Sequence, residues 1–299
     1  MTPRKSSQQR IAIHENNGYK AVATKLSVTS LWGRSMTIAL QDMTWPEVHQ
    51  LLCKPNVVLI PVGSTEQHGH HLPLSVDSRC AEYIAEKTAA VINARRALRA
   101  VVAPAIHYTD VTTFESFPGT VGISLDTEIR LIADIARSFI ATGFHSIVFV
   151  NGHFSNIVPL SAALRQVNRD SPDAGLYAVN WWDLGCDAIA EARQSPVGLH
   201  ADEIETAVSL VVQPENVQMD KSTREVPTLS LSEKWVNADL FGPRKVFYYP
   251  RKGFPRMGVS SGVIGDGVVA SVETGRRIVE SVVANFAELI MEIVQSDQL

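Results

Sequence analysis

The sequence has few cysteines and no long apolar run. Its three cysteines, Cys53, Cys80 and Cys186, are widely spaced and form no Cys-x-x-Cys pair, which argues against a disulfide framework and a thiolate zinc site. No uninterrupted apolar segment approaches the roughly 18 residues that a membrane-spanning helix needs. The N-terminal segment also lacks the apolar core of a secretory signal. These absences predict a cytoplasmic protein that does not enter a membrane.

Charged residues are scarce and nearly balanced. They make up 19% of the 299 residues, with 27 Lys and Arg against 31 Asp and Glu, for a net charge of −4. A chain so balanced has no general electrostatic attraction for nucleic acid. The hydrophobic content of 45% is too high for a largely disordered chain and is sufficient for a large core. The composition therefore predicts a globular protein that does not bind nucleic acid.

The first 35 residues differ from the rest of the chain. They are rich in Lys, Arg, Ser, Gln and Asn, they contain a single acid, Glu15, and they show no sustained apolar period. Such a segment is typical of a flexible arm outside the fold. We therefore predict a basic arm over residues 1–35 and one folded domain over residues 36–299.

Short apolar runs and amphipathic stretches alternate after residue 36. The pattern predicts strands at 57–60, 101–104, 147–150 and 176–181. It predicts helices at 78–94, at 201–211 and at 273–294, and one more that Asp126 or Thr127 caps and Gly143 ends. Alternating strands and helices predict an α/β domain with a mostly parallel sheet and helices on both faces.

A twelve-residue loop after the first predicted strand, residues 66–77, contains five potential metal ligands: Glu66, His68, His70, His71 and Asp77. Imidazole together with carboxylate suits Zn²⁺, Mn²⁺ or Fe²⁺ rather than Ca²⁺, which prefers oxygen alone. Glu66 and His68 are two residues apart, so their side chains point the same way on an extended segment. A solvated loop is the alternative interpretation, but three of the chain's nine histidines in one loop favour a metal site.

Two further segments carry candidate residues. His153 comes directly after the predicted strand at 147–150, where open α/β sheets place ligands. His200 and Glu203, three apart at the start of a predicted helix, are expected to share one face. The acids after His200 have an alternative interpretation as first-turn charges that stabilise a helix. The sequence has no phosphate-binding glycine loop and no Gly-x-Ser-x-Gly elbow, which argues against nucleotide binding and against a serine hydrolase.

Four ordered motifs resemble those of the creatininase (creatinine amidohydrolase) family. They are residues 63–74 followed by Asp77, Phe117-Pro118-Gly119-Thr120, Asn151-Gly152-His153, and His200 with Glu205-Thr206. The closing segment 262–266 also resembles the tail of that family. Together these segments cover about residues 40 to 296.

The resemblance implies a single α/β domain with two divalent metal ions that hydrolyses an amide bond of a small molecule, the amide being cyclic or open. By position, Glu66, Asp77 and His153 are expected to hold one ion and His68 with Asp77 the other, so that Asp77 bridges the two. Zn, Mn or Fe are the expected metals. His200 is expected to transfer protons, since a neighbouring imidazole can protonate the departing nitrogen. The family also implies a homohexamer.

The chain departs from the family pattern at Ser155, where creatininase has a metal-binding glutamate. An ion held by His68 and Asp77 alone would have only two protein ligands, whereas catalytic zinc usually has three. We predict that Glu203 supplies the missing carboxylate. Glu205 is the alternative ligand. If Glu203 is the ligand, we expect Glu205 to orient a ligand side chain without binding the ion itself.

The motifs do not identify the substrate. The substrate-contacting serine and the tryptophan that creatininase has before its catalytic histidine are without counterparts here, so creatinine does not follow. The alternatives are a relative that opens the ring of a cyclic ketone, one that trims a peptide, and a catalytically inert relative that binds metals.

Overall fold

The structure is a computed structural model that describes residues 38–95, 98–229, 231–232, 234–242, 246 and 259–296. The predicted N-terminal arm, residues 1–35, lies outside the described residues. Within the described part of the chain, no helix is long and apolar enough to cross a membrane.

Four parallel strands form the central sheet in the order β2-β1-β3-β4. The strands are β1 (Asn56–Val62), β2 (Arg99–Val102), β3 (Ser146–Asn151) and β4 (Gly175–Asn180). Each lies within about two residues of its predicted position. In the register of the sheet, Leu59 of β1 pairs with Val102 on one side and with Val148 on the other.

Helices connect the strands and follow the sheet. They are α1 (Trp45–Leu52), α2 (Val76–Ala94), α3 (Leu125–Thr142), α4 (Ile157–Asp170), α5 (Trp181–Leu184), α6 (Cys186–Ala192), α7 (Glu203–Val212) and α8 (Val272–Ser296). Single 3₁₀ turns lie at Leu40–Asp42, Phe154–Asn156, Pro214–Asn216 and Met219–Lys221.

Hydrophobic side chains cover both faces of the sheet. On one face, Val58, Ile60 and Phe149 pack with residues of α1, α3 and α4. On the other face, Leu59 and Val148 pack with residues of α2, α5, α6, α7 and α8. All seven residues of β1 are buried, as expected for a parallel strand between two helical layers. The predicted fold class, a mostly parallel sheet with helices on both faces, is confirmed.

The ends of α3 show what the sequence pattern predicts well and what it does not. The predicted caps, Asp126 and Thr127, are wrong, because the helix already begins at Leu125 and Ser124 occupies the N-cap. The predicted end is correct. Gly143 has φ 103°, a left-handed conformation that glycine adopts without steric cost at a helix C-terminus.

The helix that carries the two candidate glutamates begins later than predicted. α7 starts at Glu203, because Asp202 occupies its N-cap and the carboxylate accepts hydrogen bonds from two backbone N–H groups of the first turn. His200 therefore precedes the helix. Between them, Ala201 has φ 49°, which is uncommon for a residue other than glycine.

The segment before α8 forms backbone hydrogen bonds with His200. The short strands β5 (Arg224–Glu225) and β6 (Gly265–Asp266) form an antiparallel pair. Just before β6, the backbone N–H of Ile264 donates to the His200 carbonyl at 2.8 Å, and His200 N–H donates back at 3.2 Å. At Gly262, with φ 86°, an added Cβ would overlap the side-chain amide of Gln67. This segment therefore supports both His200 and the loop after β1.

Candidate metal centre

Buried histidine and carboxylate side chains meet at one edge of the sheet. In each of three overlapping groups, one potential ligand atom per residue lies within 4.8 Å of the others. The groups are Glu66–Asp77–His153, His68–Asp77–Glu205 and Glu66–His68–His200. The structure thus brings together the four side chains expected as ligands, Glu66, His68, Asp77 and His153. Glu205 and His200, which the sequence also named, lie with them.

The parallel sheet explains why residues so distant in sequence meet. Glu66 and His68 lie on the loop after β1, and His153 lies just after β3, which pairs directly with β1. The carboxyl ends of neighbouring parallel strands lie side by side at one edge of a sheet. The two loops are therefore adjacent.

Two glycines let the first turn of α2 come close to these strand ends. A Cβ added at Gly63 would overlap the backbone of Ser78, and one added at Gly152 would overlap the carbonyl group of Asp77. Any larger residue would push α2 away from the sheet. The glycines therefore allow Asp77, in the first turn of α2, to reach both loops.

The carboxylate of Asp77 lies between the two sides of the cluster. Its Oδ1 is 3.1 Å from His68 Nε2, and its Oδ2 is 3.0 Å from His153 Nδ1. The hydroxyl of Ser64 donates a hydrogen bond to Oδ2 at 2.7 Å, which fixes the orientation of the group. One oxygen therefore faces each side, as a bridging carboxylate requires.

The two histidines each present a ring nitrogen to the acids. His68 Nδ1 donates to the backbone carbonyl of Glu66 at 3.0 Å, which leaves Nε2 as the nitrogen that faces Asp77 and, at 3.7 Å, Glu205 Oε2. Metal-binding histidines are commonly oriented by such a bond to a carbonyl. His153 presents Nδ1, which lies 3.3 Å from Glu66 Oε1.

The carboxylate of Glu66 shows that the donor set fits a cation. The residue is fully buried, and neither of its oxygens has a hydrogen-bond partner of good geometry among the described residues, although Oε1 lies 3.3 Å from His153 Nδ1 and 3.6 Å from His200 Nδ1. An ionised carboxylate without partners is costly to bury unless a positive charge compensates it. A divalent ion at this point would supply that charge, and imidazole and carboxylate ligands suit Zn, Mn or Fe.

The pKa values show how strongly the cluster attracts positive charge. Burial lowers the pKa of His68, but the carboxylates of Asp77, Glu205 and Glu66 outweigh it and raise the pKa to about 10. The pKa of His153 is raised well above its ordinary value, because Glu66 and Asp77 likewise outweigh its burial. The pKa of Asp77 is lowered, since the two histidines outweigh burial. Bound protons and a bound cation would therefore compete for the same nitrogens.

His200 differs from the other two histidines because it is arranged as a neutral base. Burial, and then the charge of His68, hold its pKa well below the ordinary value. Its Nε2 donates to the backbone carbonyl of Gln67 at 2.7 Å, so Nδ1 keeps its lone pair, 3.6 Å from Glu66 Oε1. The ring is held between Phe114, stacked at 4.2 Å, and His68 at 4.3 Å.

The two glutamates of α7 have different surroundings, and those of Glu203 do not favour the ligand role predicted for it. Its carboxylate accepts hydrogen bonds from the backbone N–H groups of Gln194, at 2.9 and 3.0 Å, and of Ser195, at 2.7 Å. Among the described residues, Glu203 belongs to none of the three ligand groups. The prediction assumed that His200 lies within the helix, whereas the helix begins three residues later and the shared face does not exist.

Glu205 is the carboxylate that reaches the cluster. Its Oε2 accepts the backbone N–H of Ala201 at 2.6 Å and faces His68 Nε2. Burial raises the pKa of Glu205 to about 8, although the charge of His68 opposes this. The left-handed turn at Ala201 therefore presents an N–H that orients Glu205 toward the metal-binding side chains.

Sequence reasoning missed three residues that orient the site: Ser64, Gln67 and Phe114. Ser64 and Gln67 lie inside the motif that carries Glu66 and His68, so their position was itself a signal. Phe114 gave no signal, because only the folded chain brings its ring onto His200. His71, a candidate by type, instead shares a hydrogen bond of 2.8 Å with Thr206 Oγ1.

A small cavity adjoins Glu205. Its walls include Phe154, Trp181, Trp182 and Leu240. The two tryptophans are almost fully buried and meet edge to face at 5.9 Å. They therefore pack in the core and also form an aromatic wall beside the cluster.

Comparison with known proteins identifies the family. The family described as creatininase (creatinine amidohydrolase) matches residues 41–290. The chain belongs to this family. It is similar in fold to a crystal structure of creatinine amidohydrolase, with a TM-score of 0.72 and 24% identity over 86% of this chain and 98% of that chain. Creatininase structures include an Mn form and a Zn–Zn form.

Named relatives within the creatininase family differ in their substrates. The chain is 34% identical to a mycofactocin precursor peptide peptidase of Mycolicibacterium smegmatis, over 78% of this chain and 84% of the relative. It is 26% identical to a creatinine amidohydrolase of Pseudomonas putida, over 86% and 98%. It is also 26% identical to a 3-dehydro-scyllo-inosose hydrolase of Thermotoga maritima, over 88% and 85%. The family membership therefore indicates a hydrolase, and the bond it cleaves is a separate question.

Proposed function

We propose that this chain is a metal-dependent amidohydrolase that cleaves a C–N bond of a small molecule. The observation that carries the proposal is the Glu66 carboxylate, which is fully buried without a hydrogen-bond partner and lies beside two histidines. A carboxylate in that state is expected where a cation belongs. The free Nδ1 of His200 supplies a base next to it.

The residues divide into two ligand sets that share Asp77. Glu66, Asp77 and His153 would hold one ion, and His68, Asp77 and Glu205 the other. Glu205 thereby replaces the glutamate that creatininase has at the position of Ser155. With three ligands on each side, both ions have the protein coordination that catalytic sites usually provide.

The proposed chemistry uses His200 as the proton carrier. Divalent ions bound there would lower the pKa of a water, so that hydroxide is available near neutral pH, and would polarise the carbonyl group. The neutral imidazole of His200 would accept a proton from the attacking water at Nδ1 and pass it to the departing nitrogen as the C–N bond breaks, which regenerates the base. The hydrogen bond from Nε2 to the Gln67 backbone carbonyl orients the ring.

Metal analysis together with a substrate panel tests the proposal. We expect two divalent ions per chain after purification, and hydrolysis of at least one compound from a panel of cyclic and open amides. Glu205→Gln should lower the metal content, whereas the matched Glu203→Gln, on the same turn of α7, should retain it. Bound metal without turnover of any compound would instead support an inert, metal-binding relative.

A peptide substrate is the second candidate. It is favoured by the similarity to the peptidase of M. smegmatis, at 34% identity against 26% for the creatinine amidohydrolase. Short peptides therefore belong in the same panel, and a cyclic ketone belongs there because of the inosose hydrolase. The compound with the highest kcat/KM then decides among amide, peptide and ketone hydrolysis.

A further inference from the structure

A long loop covers the metal-site loop after β1. We call residues 103–124, between β2 and α3, the covering loop. Thr109 Oγ1 donates to the Gly63 carbonyl at 2.8 Å, and Thr120 Oγ1 accepts the Gln67 N–H at 3.0 Å. The covering loop also carries Phe114, whose ring stacks on His200. The position of this loop therefore affects the orientation of the proposed base.

Glu128, on α3, forms a hydrogen bond with the covering loop. It lies in the first turn of α3, where acids are usually exposed, yet its side chain is fully buried. Its Oε2 accepts the backbone N–H of Asp110 at 2.8 Å. From Asp110 the chain forms a tight turn in which Phe114 N–H donates to the Val111 carbonyl at 2.9 Å. Fixing Asp110 therefore also fixes Phe114.

The second oxygen of Glu128 is unusual. Oε1 is buried and has no hydrogen-bond partner among the described residues. Burial raises the pKa of Glu128 to about 7, although the Asp110 N–H and the charge of His153 lower it. The carboxyl group of Asp110, on the covering loop, raises it further. Burying a protonated carboxyl group costs less free energy than burying an ionised one, and Oε2 of the protonated group still accepts the Asp110 N–H.

We propose that Glu128 is a positioning residue that fixes the turn at residues 110–114 and thereby holds the ring of Phe114 against His200. It acts through the covering loop, by way of its hydrogen bond to the Asp110 N–H. The effect on turnover rests on the proposed hydrolysis, whereas the effect on the loop does not.

Three variants and two measurements test this role. Hydrogen exchange, followed by mass spectrometry on peptides that span residues 106–117, reports the loop, and kcat and KM report the reaction. Glu128→Ala should increase exchange there at least tenfold and lower kcat about tenfold, with KM and metal content unchanged. Glu128→Gln keeps an uncharged acceptor, so it should restore both values. The matched control is Asp126→Ala, an exposed acid of the same helical turn, which should change neither.

The pH dependence distinguishes positioning from a general loss of stability. After correction for intrinsic rates, exchange in the wild-type loop should rise as the pH is raised through about 7, where the pKa of Glu128 lies, and Glu128→Gln should abolish the rise. Unchanged exchange over residues 106–117 in Glu128→Ala would overturn the proposal. If Glu128→Ala fails to fold, tenfold faster exchange in Glu128→Gln, which keeps the acceptor, would overturn it. If the wild type hydrolyses nothing, the proposed function fails while the exchange result still decides this one.

Discussion

Replacing Gly152 with alanine tests whether close approach of β3 to α2 sets the geometry of the metal centre. An added Cβ would overlap the Asp77 carbonyl oxygen and lie 2.9 Å from the carbonyl carbon. Neither side yields easily. Asp77 belongs to the first turn of a helix, and the Gly152 N–H is held by the Val62 carbonyl at 2.8 Å.

The size of the effect follows from these distances. Nonbonded carbon atoms prefer a separation of roughly 3.5 Å or more, so the Asp77 backbone must move by at least about 0.6 Å. Ligand positions in a metal site tolerate only about ±0.2 Å. We therefore expect metal affinity to fall roughly 10- to 100-fold, the range seen when supporting residues of metal sites are changed. Overpacking should lower the free energy of unfolding by about 1–3 kcal/mol.

Metal titration and urea unfolding measure the two effects separately. The matched control is Gly185→Ala, where the new Cβ meets the side chain of Val282 at 2.7 Å, away from the metal centre. It should cost stability without changing metal affinity. Wild-type metal affinity in a folded Gly152→Ala variant would refute the reasoning.

Four more predictions concern the metals, the acids and the assembly. Asp77→Ala should remove both ions and Glu66→Ala mainly one, and full metal content in the Asp77 variant would contradict the bridging role. Metal affinity should rise with pH, because the raised pKa values of His68 and His153 mean that binding must displace protons, which calorimetry in buffers of different ionisation enthalpy detects. The pKa of Glu128 is raised from 4.5 to about 7 in the folded chain, so Glu128 stabilises the fold less as the pH rises through this range. In urea unfolding, the unfolding free energy of Glu128→Gln should therefore gain up to about 3 kcal/mol relative to wild type between pH 4.5 and 8. The chain without its first 35 residues should fold and form the homohexamer that the family resemblance implies, and a monomer at micromolar concentration in sedimentation would argue against this.

The sheet was predictable because parallel strands leave a simple pattern. A strand buried on both faces must be apolar throughout, and the runs at 57–60 and 147–150 show this directly. Helix boundaries were harder where short polar residues compete as caps. Ser124, Asp126 and Thr127 are all residue types that favour an N-cap, so the sequence does not select among them. In the folded chain Ser124 is the N-cap without a side-chain cap bond, and its hydroxyl donates to Asp126 Oδ1 instead.

The same limitation explains why the sequence favoured Glu203 over Glu205. The spacing of His200 and Glu203 indicates a shared helical face only if both residues are helical. Asp202 caps α7 between them, and Ala201 turns the chain through a left-handed conformation. Glu205 is then oriented toward His68 by an N–H that no periodicity reveals. The grouping of Glu66, His68 and Asp77 within one loop was predictable from spacing, whereas the approach of Glu205, which depends on a cap and a turn, was not.

The placement of the ligands and of the cavity walls explains how one family includes hydrolases named for different substrates. Glu66, His68 and His153 lie at strand ends of a rigid parallel sheet, which fixes them whatever the surface segments do. The cavity wall beside Glu205 comes from other parts of the chain, among them the 3₁₀ turn with Phe154 and the loop with Leu240. Substitutions at Leu240 or in the tryptophan pair would alter the space beside Glu205. The proposed metal chemistry and the substrate can therefore diverge independently, and the Trp-walled cavity, more than the motifs, should determine which substrate this chain accepts.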